Sequence, residues 1–404
     1  MRSRKNEYII TKAEVHGYAE DWLAGALPLE YAGRKCTKTV LLQILLLAAS
    51  RVVSVFAACR DLADAPSNVT VFNALYASLP AIAELERHLN RALVTKVPRG
   101  LKRKSRQVAI DLTLIPYHGQ PAHDKKEIYR SKPKSGTSHF HAYATAVVVQ
   151  NGYRYTLALT RVEYGELMKD VLQRLLRIVR NRGVKIRYLL VDKGFFSVSV
   201  IRYLKRAKHA FIIPVLLRGR QKSDPKAPPT GLRALLKQKN GRYQHKLEGK
   251  DASKKKISTE VTICVASKDY VEEKTGKKRR KKLLFAIWKV GTVPPQDIRE
   301  RYRKRFGIET SYRQMNEARI KTCTRDPRLR LLFVAIALVL RNVWVWIHFR
   351  FAKGKYSPEP QLFLNLLRFK EMLLWITQVV QKALGADKTI GIDVETYKRL
   401  TSSA

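Results

Sequence analysis

Asp111, Asp192 and Glu309 are the residues of this chain best suited to do chemistry. Asp111 closes a short apolar run, Val108-Ala109-Ile110, and Asp192 closes another, Tyr188-Leu189-Leu190-Val191; Glu309 lies in a long charged stretch of helical character. A carboxylate at the end of a buried strand is costly unless a metal or a cation neutralises it. Two such acids on adjacent strands can bridge a pair of divalent ions roughly 4 Å apart, and a carboxylate from a helix across the sheet edge completes the set. Oxygen donors of this kind suit the hard ions Mg²⁺ or Mn²⁺. The 79 Lys and Arg against 33 Asp and Glu give a formal net charge of +46. A field of that sign selects a polyanion, and nucleic acid is the one that two-metal phosphoryl transfer cuts.

Period and punctuation outline the elements that must hold these acids in place. Residues 1–100 read as a helical N-terminal DNA-binding domain. Thr11 and Glu14 have the form of a capping box, Leu41, Leu45, Ala48, Val52 and Val55 recur at helical spacing, Asn68 reads as a cap, and Pro80 punctuates the next helix. A helix-turn-helix reader and a plain helical bundle both fit this pattern. A basic linker spans 99–106. Residues 101–217 form the first part of a catalytic core. Its strands are expected at Gln107–Ile115, Tyr143–Val149 and Tyr153–Leu159, the last two joined by the turn signal Asn151-Gly152. A helix over Glu163–Arg182 follows, with Leu167, Val171, Leu172, Leu175 and Val179 on one face and Gly183 as its stop. Strand Ile186–Val191, helix Val198–Ala207 and strand Ala210–Val215 complete the order of a ribonuclease-H-like α/β sheet. Residues 218–288 read as a β-rich insertion with basic loops, the densest at Lys277–Lys282. The core resumes over 289–352 with a long helix, Gln296–Lys321, that carries Glu309, and an apolar helix from Asp326-Pro327 to Phe351. Residues 353–404 are a helical tail.

The helix around Glu309 has its own signature. Tyr302, Arg305 and Glu309 lie at i, i+3 and i+7 and share one face. A ring, a cation and a carboxylate on one face make either a solvated surface or a working one. These residues, with Ile110-Asp111-Leu112-Thr113 and Val191-Asp192-Lys193-Gly194-Phe195-Phe196-Ser197, resemble the DDE transposases of bacterial and archaeal insertion sequences. The separations of 81 residues from Asp111 to Asp192 and 117 from Asp192 to Glu309 resemble the branch with a β-strand insertion before the Glu.

That resemblance implies a ribonuclease-H-like fold and metal-dependent cleavage and strand transfer on double-stranded DNA, at terminal inverted repeats and into target DNA. It implies a homodimer in the synaptic complex, and Asp111, Asp192 and Glu309 as ligands of Mg²⁺, for which Mn²⁺ can substitute. Tyr302 and Arg305 would contact phosphates near the cut, with Lys193 of the second motif beside them. Many members carry Lys seven residues beyond the Glu, where this chain has Asn316, so Arg313 or Lys321 is expected to supply that contact. Trp288, just before the catalytic helix, would stack on a flipped base, its bland reading being an ordinary core residue. Two competing readings are a ribonuclease-H-like nuclease or resolvase that cuts without strand transfer, and a DNA-binding protein with a decayed core.

The remaining signals are weaker. Arg130, Lys132 and Lys134, mixed with hydroxyls and Gly136, suit a hairpin gripping a phosphate backbone, or simply a solvated loop. His139 and His141, with His118 and His123 nearby, lack the spacing of a zinc site. The run Lys277–Lys282 has the composition of a nuclear localisation signal, but in so basic a chain non-specific DNA grip explains it better. Cys36, Cys59, Cys264 and Cys323 form no CxxC pair, which suggests a reducing compartment. No signal-peptide core follows Met1–Lys5, and the apolar runs Val40–Ala49 and Leu331–Leu340 are too short to span a bilayer. No membrane association is expected, and the location is expected to be cytoplasmic, with the nucleoid of a prokaryote.

Overall fold

The computed structural model describes the chain apart from residues 1–8, 30–32, 34–35, 151–152, 218–228, 273–274, 352–361, 387–393, 396–397 and 400–404. The turn signal at 151–152, the start of the expected insertion, the basic N-terminus and Pro358 therefore lie outside the described residues.

Among the described residues nine strands form one mixed sheet: β1 (Arg106–Pro116), β2 (Tyr129–Lys134), β3 (Thr137–Gln150), β4 (Tyr153–Val162), β5 (Ile186–Val191), β6 (Phe211–Pro214), β7 (Gly241–Lys250), β8 (Lys256–Val271) and β9 (Lys278–Trp288). Their order is β2-β3-β1-β5-β6-β9-β8-β7, with β4 also on β3. The β1–β5 and β5–β6 pairs are parallel and the others antiparallel. The central strands read as near-continuous apolar runs because both of their faces are covered. One face carries Val108, Ile110 and Ala144 and packs on Leu172 and Leu175; the other carries Ala109, Tyr188 and Leu190 and packs on Ile298, Tyr302 and Ile308. This is the expected ribonuclease-H-like α/β fold.

The first hundred residues supply α1 (Lys12–Ala24), α2 (Lys38–Ser50), α3 (Val55–Arg60), α4 (Asn68–Ser78), α5 (Ile82–Ala92) and α6 (Arg99–Arg103). The Thr11–Glu14 capping box is formed. The stretch read as one helix through Val55 is broken at Val52, whose backbone is left-handed, and Ser54 caps a new helix. Ser67, not Asn68, caps α4. The basic linker holds a short helix, and Arg106 is buried as the first residue of β1.

Between the strands lie α7 (Met168–Asn181) and α8 (Val198–Arg206), and after the sheet come α9 (Pro295–Arg303), α10 (Gly307–Asn316), α11 (Pro327–Phe351) and α12 (Phe369–Leu384). Leu167, expected on the buried face of α7, precedes that helix and is 41% exposed. The basic run expected in a loop is largely strand: Arg279 and Arg280 pair with Tyr270 and Asp269 of β8, and Arg280 salt-bridges Asp269. Strands β7–β9 continue the core sheet, because β9 pairs with β6.

Helix α11 has the expected bounds; where the run Leu331–Leu340 was read as too short to span a bilayer, the whole helix is long and apolar enough to cross a membrane, yet that stretch is 94% buried inside the protein. Its polar pair does not end it, because both side chains find partners. Arg341 donates to Gln314 Oε1 and to the Arg154 carbonyl, each at 3.0 Å. Asn342 donates to the carbonyls of Leu93 and Thr156 and accepts from the Thr156 amide. One helix thereby joins α5, α10 and β4. Helix α12 packs on α1 and α2, so the tail closes onto the N-terminal helices.

Candidate active site

Asp111 and Asp192 come together because β1 and β5 are parallel neighbours. Ile110 is level with Val191, and the Asp192 amide donates to the Ile110 carbonyl at 3.2 Å. Alternation along each strand puts both acids on the face that carries Ala109 and Leu190, beneath α9 and α10. Asp111 accepts from the Leu112 amide through Oδ1 at 2.8 Å. Asp192 begins a 3₁₀ turn (Lys193–Phe195) and accepts from the Gly194 amide through Oδ2 at 2.9 Å. That turn ends Asp192's strand and leaves its side chain 27% exposed, against 12% for Asp111.

The third acid arrives on a broken helix. Where one helix was expected over 296–321, α9 tightens into a 3₁₀ turn at Lys304–Phe306 and restarts as α10 at Gly307, ending at Asn316. The break keeps Arg305 and Glu309 on one side while burying the first and exposing the second. The Arg305 guanidinium lies among all three carboxylates: Nη1 is 2.8 Å from Asp111 Oδ2, and Nη2 is 3.1 Å from Asp192 Oδ1 and 3.8 Å from Glu309 Oε1. Its side chain is 8% exposed, whereas that of Glu309 is 54% exposed.

Tyr302 and Tyr312 brace this arrangement. Tyr302 is buried against Phe285, with the Arg305 guanidinium 5.5 Å from its ring centre and its hydroxyl directed at the Val191 carbonyl. Tyr312, three residues beyond Glu309, donates to the Asp111 backbone carbonyl at 3.1 Å. Its oxygen is 2.8 Å from Thr145 Oγ1, so Thr145 must be the donor of that second bond. Tyr312 thus ties the helix of the third acid to the strand of the first. Spacing from Glu309 marks its face, but only the packing identifies its partner.

Burial pushes the Asp111 carboxyl up, the Arg305 charge pulls it down, and repulsion from Asp192 raises it again, leaving it at about 6. Burial works against the Arg305 charge too, but attraction to Asp111, Tyr302 and Asp192 outweighs it and the guanidinium is held more firmly protonated than usual. Burial raises Tyr302 well above the ordinary phenol range. The pair is asymmetric: the cation is secure and Asp111 bears the strain of desolvation.

The other residues expected to touch DNA are placed variously. Lys193 is exposed beside Asp192. Arg313 is exposed in the last turn of α10, donating to Thr310. Lys321 is exposed in an extended segment whose backbone is tied to Val53, and Asn316 accepts from Arg319 at 3.2 Å. Arg130, Lys132 and Lys134 line β2, which pairs with the start of β3 as the expected hairpin. Tyr302 and Arg305, expected at phosphates, are both buried. Trp288 is half-buried, stacks on Phe211 and packs on the opposite face of the sheet from the carboxylates. His141 is buried against Tyr117, and burial and nearby arginines push it down to about 3.

Residues 102–342 match the family model described as a transposase DDE domain. The chain belongs to the DDE-domain transposase family. No curated protein matches it in sequence. Among solved structures the transposase is similar to one described as a piggyBac transposase synaptic complex with hairpin DNA. The TM-score is 0.51 and the identity 12%, over 99% of this chain and 86% of the other. At that identity the likeness concerns the fold.

The family generally uses a divalent metal. Among the described residues no three metal-ligating side chains converge tightly enough to form a preassembled centre. The donors nonetheless fit one. Three carboxylates from separate elements already surround a cationic group, and all offer the hard oxygens that Mg²⁺ or Mn²⁺ prefers.

Proposed function

We propose that this transposase cuts DNA at the ends of its own element and joins those ends to a target, with Asp111, Asp192 and Glu309 holding the divalent ions, Mg²⁺ or Mn²⁺. The observation that carries the reading is the convergence of three acids, two of them on adjacent parallel strands, upon a single cation. Bound there, the metal would lower the barrier by activating the attacking oxygen and stabilising the leaving one.

The protein's own side chains do the rest. Asp111 and Asp192 are fixed by the Leu112 and Gly194 amides and present their remaining oxygens inward. Glu309 stands at the rim, open to solvent, where it can close on the site once substrate is present. Lys193 and Arg313 lie exposed on the elements that carry these acids and can track a phosphate backbone without sequence reading. We assign the chain to the insertion-sequence branch with a β insertion, residues 218–288. Its DNA partners would be its terminal inverted repeats and target DNA, and its active form a homodimeric synaptic complex.

The test is a cleavage and joining assay on labelled DNA carrying the element's flanking ends, with Mg²⁺ or EDTA, beside Glu309→Gln. Metal-dependent nicks followed by joined products, absent in the variant, are expected. Cutting without joining would leave a nuclease, and binding without cutting under any metal would leave a DNA-binding protein only.

A further inference from the structure

In the free protein every oxygen of the two aspartates already has a donor. Asp111 Oδ1 and Asp192 Oδ2 accept from the Leu112 and Gly194 amides, while Asp111 Oδ2 and Asp192 Oδ1 face the two terminal nitrogens of Arg305. The third terminal contact of that guanidinium is Glu309. A divalent ion at the inward oxygens would share them with a buried positive charge about 3 Å away, and that repulsion weakens its binding while Arg305 keeps its place.

Arg305 is also incompletely satisfied where it sits. Its Nε is buried without a hydrogen-bond partner, while its terminal nitrogens face the acids and its plane lies near the Tyr302 ring. A DNA phosphate offers the same guanidinium a bidentate anionic partner. It stands next in line to Phe306, which is exposed on the outer side of the same turn, so a short shift of that turn carries the guanidinium toward solvent. The turn is a 3₁₀ link between two α-helices, a geometry often found at hinges.

We propose that Arg305 is an internal stand-in for the metal, a latch that occupies the three carboxylates until a DNA phosphate draws it away. Metal loading and DNA binding are then linked: each raises the affinity for the other by the same factor. The transposase would hold divalent ions weakly when free, which keeps its nuclease centre unassembled away from DNA. The inference rests on the carboxylates being the metal ligands.

The test measures Mn²⁺ binding by electron paramagnetic resonance on the full-length protein, with and without a short duplex of arbitrary sequence. The Asp192→Asn protein, alone and with duplex, gives the background. Wild type should bind weakly alone and gain at least about tenfold with duplex, within the usual range of coupling between sites. Arg305→Ala should bind at least about tenfold tighter than wild type without duplex, with most of the duplex effect lost. Arg305→Gln, neutral but still able to donate to the acids, guards against a folding defect and should behave likewise. Wild type binding Mn²⁺ alone as tightly as both Arg305 variants would overturn the latch and leave the metal ligands standing. Binding no better than the Asp192→Asn background in every protein would sink the metal assignment, and the latch with it.

Discussion

Asp192→Asn separates the chemistry of this centre from its stability. Asn keeps the size of Asp but has one oxygen, so it can accept from the Gly194 amide or from Arg305 and not from both, and it loses the charge that faces Arg305 at 3.1 Å. With an effective dielectric of about 20 that attraction is roughly 5 kcal/mol, and screening at a site 27% exposed cuts it to about 1–2 kcal/mol. The loss is offset, because Asp192 also repels Asp111 across the strand pair. Arg305 keeps Asp111 and Glu309 as partners. The variant should therefore lose no more than about 2 kcal/mol in urea unfolding, an ordinary cost for a single substitution. Cleavage should respond far more strongly. With Asp192 as the metal ligand proposed above, its loss forfeits several kcal/mol of charge stabilisation, and about 4 kcal/mol is roughly a thousandfold in rate. Single-turnover cleavage of end-labelled DNA in Mg²⁺, beside a filter-binding titration, makes the comparison. Cleavage within tenfold of wild type would refute the reasoning, as would a stability loss large enough to explain the missing activity.

Three further expectations concern the same centre and the surface around it. Tyr312→Phe deletes the hydroxyl that joins the Asp111 carbonyl to Thr145, and should destabilise the protein by about 1–3 kcal/mol while slowing cleavage more than it weakens DNA binding; equal losses in both would make the residue merely structural. Asp111 has its carboxyl raised from 3.8 to about 6, so its buried charge destabilises the fold as pH climbs through that interval, by about 3 kcal/mol in all. Asp111→Asn should lack that slope, so the stability gap between variant and wild type should shift in the variant's favour from pH 4 to pH 8; parallel curves would contradict the assignment. DNA affinity should fall with salt at a log–log slope of about −0.9 for each phosphate neutralised, and a flat response would remove the electrostatic argument drawn from the +46 charge.

The central strands and both aspartates were legible because apolar runs end abruptly at an acid; Ile186–Val191 was found to the residue. The signature face of Tyr302, Arg305 and Glu309 was legible too, but not the break between α9 and α10. Three successive residues, Lys304-Arg305-Phe306, carry no helix-breaking side chain, and only tertiary packing decides that they tighten. Strand β7 and the basic half of β9 were not placed, because they are charged and lack the apolar residues by which strands are recognised; cross-strand pairing supplies what composition withholds. The full length of α11, Pro327–Phe351, was legible, but not what lets it carry Arg341-Asn342 through the core: Gln314, Arg154, Thr156 and Leu93 are brought round to meet that pair. The nearness of Arg305 to Glu309 follows from their spacing, but no reading of one sequence could have brought the same guanidinium onto two aspartates from distant segments.

The pairing of β6 with β9 bears on how such an enzyme can change over time. The chain leaves the core at Pro214 and returns at Phe285, and these two residues are register partners on neighbouring strands. Exit and re-entry are thus at one point, and whatever is threaded between them is a closed excursion. The excursion is not all free, because Cys264 and Ala266 of β8 share a core cluster with Ile298 and Tyr302 and so help to seat the helix that leads to the glutamate. What can vary in the long gap between Asp192 and Glu309 is the loops that join the outer strands. A lineage can lengthen or shorten those loops while the three carboxylates keep their geometry.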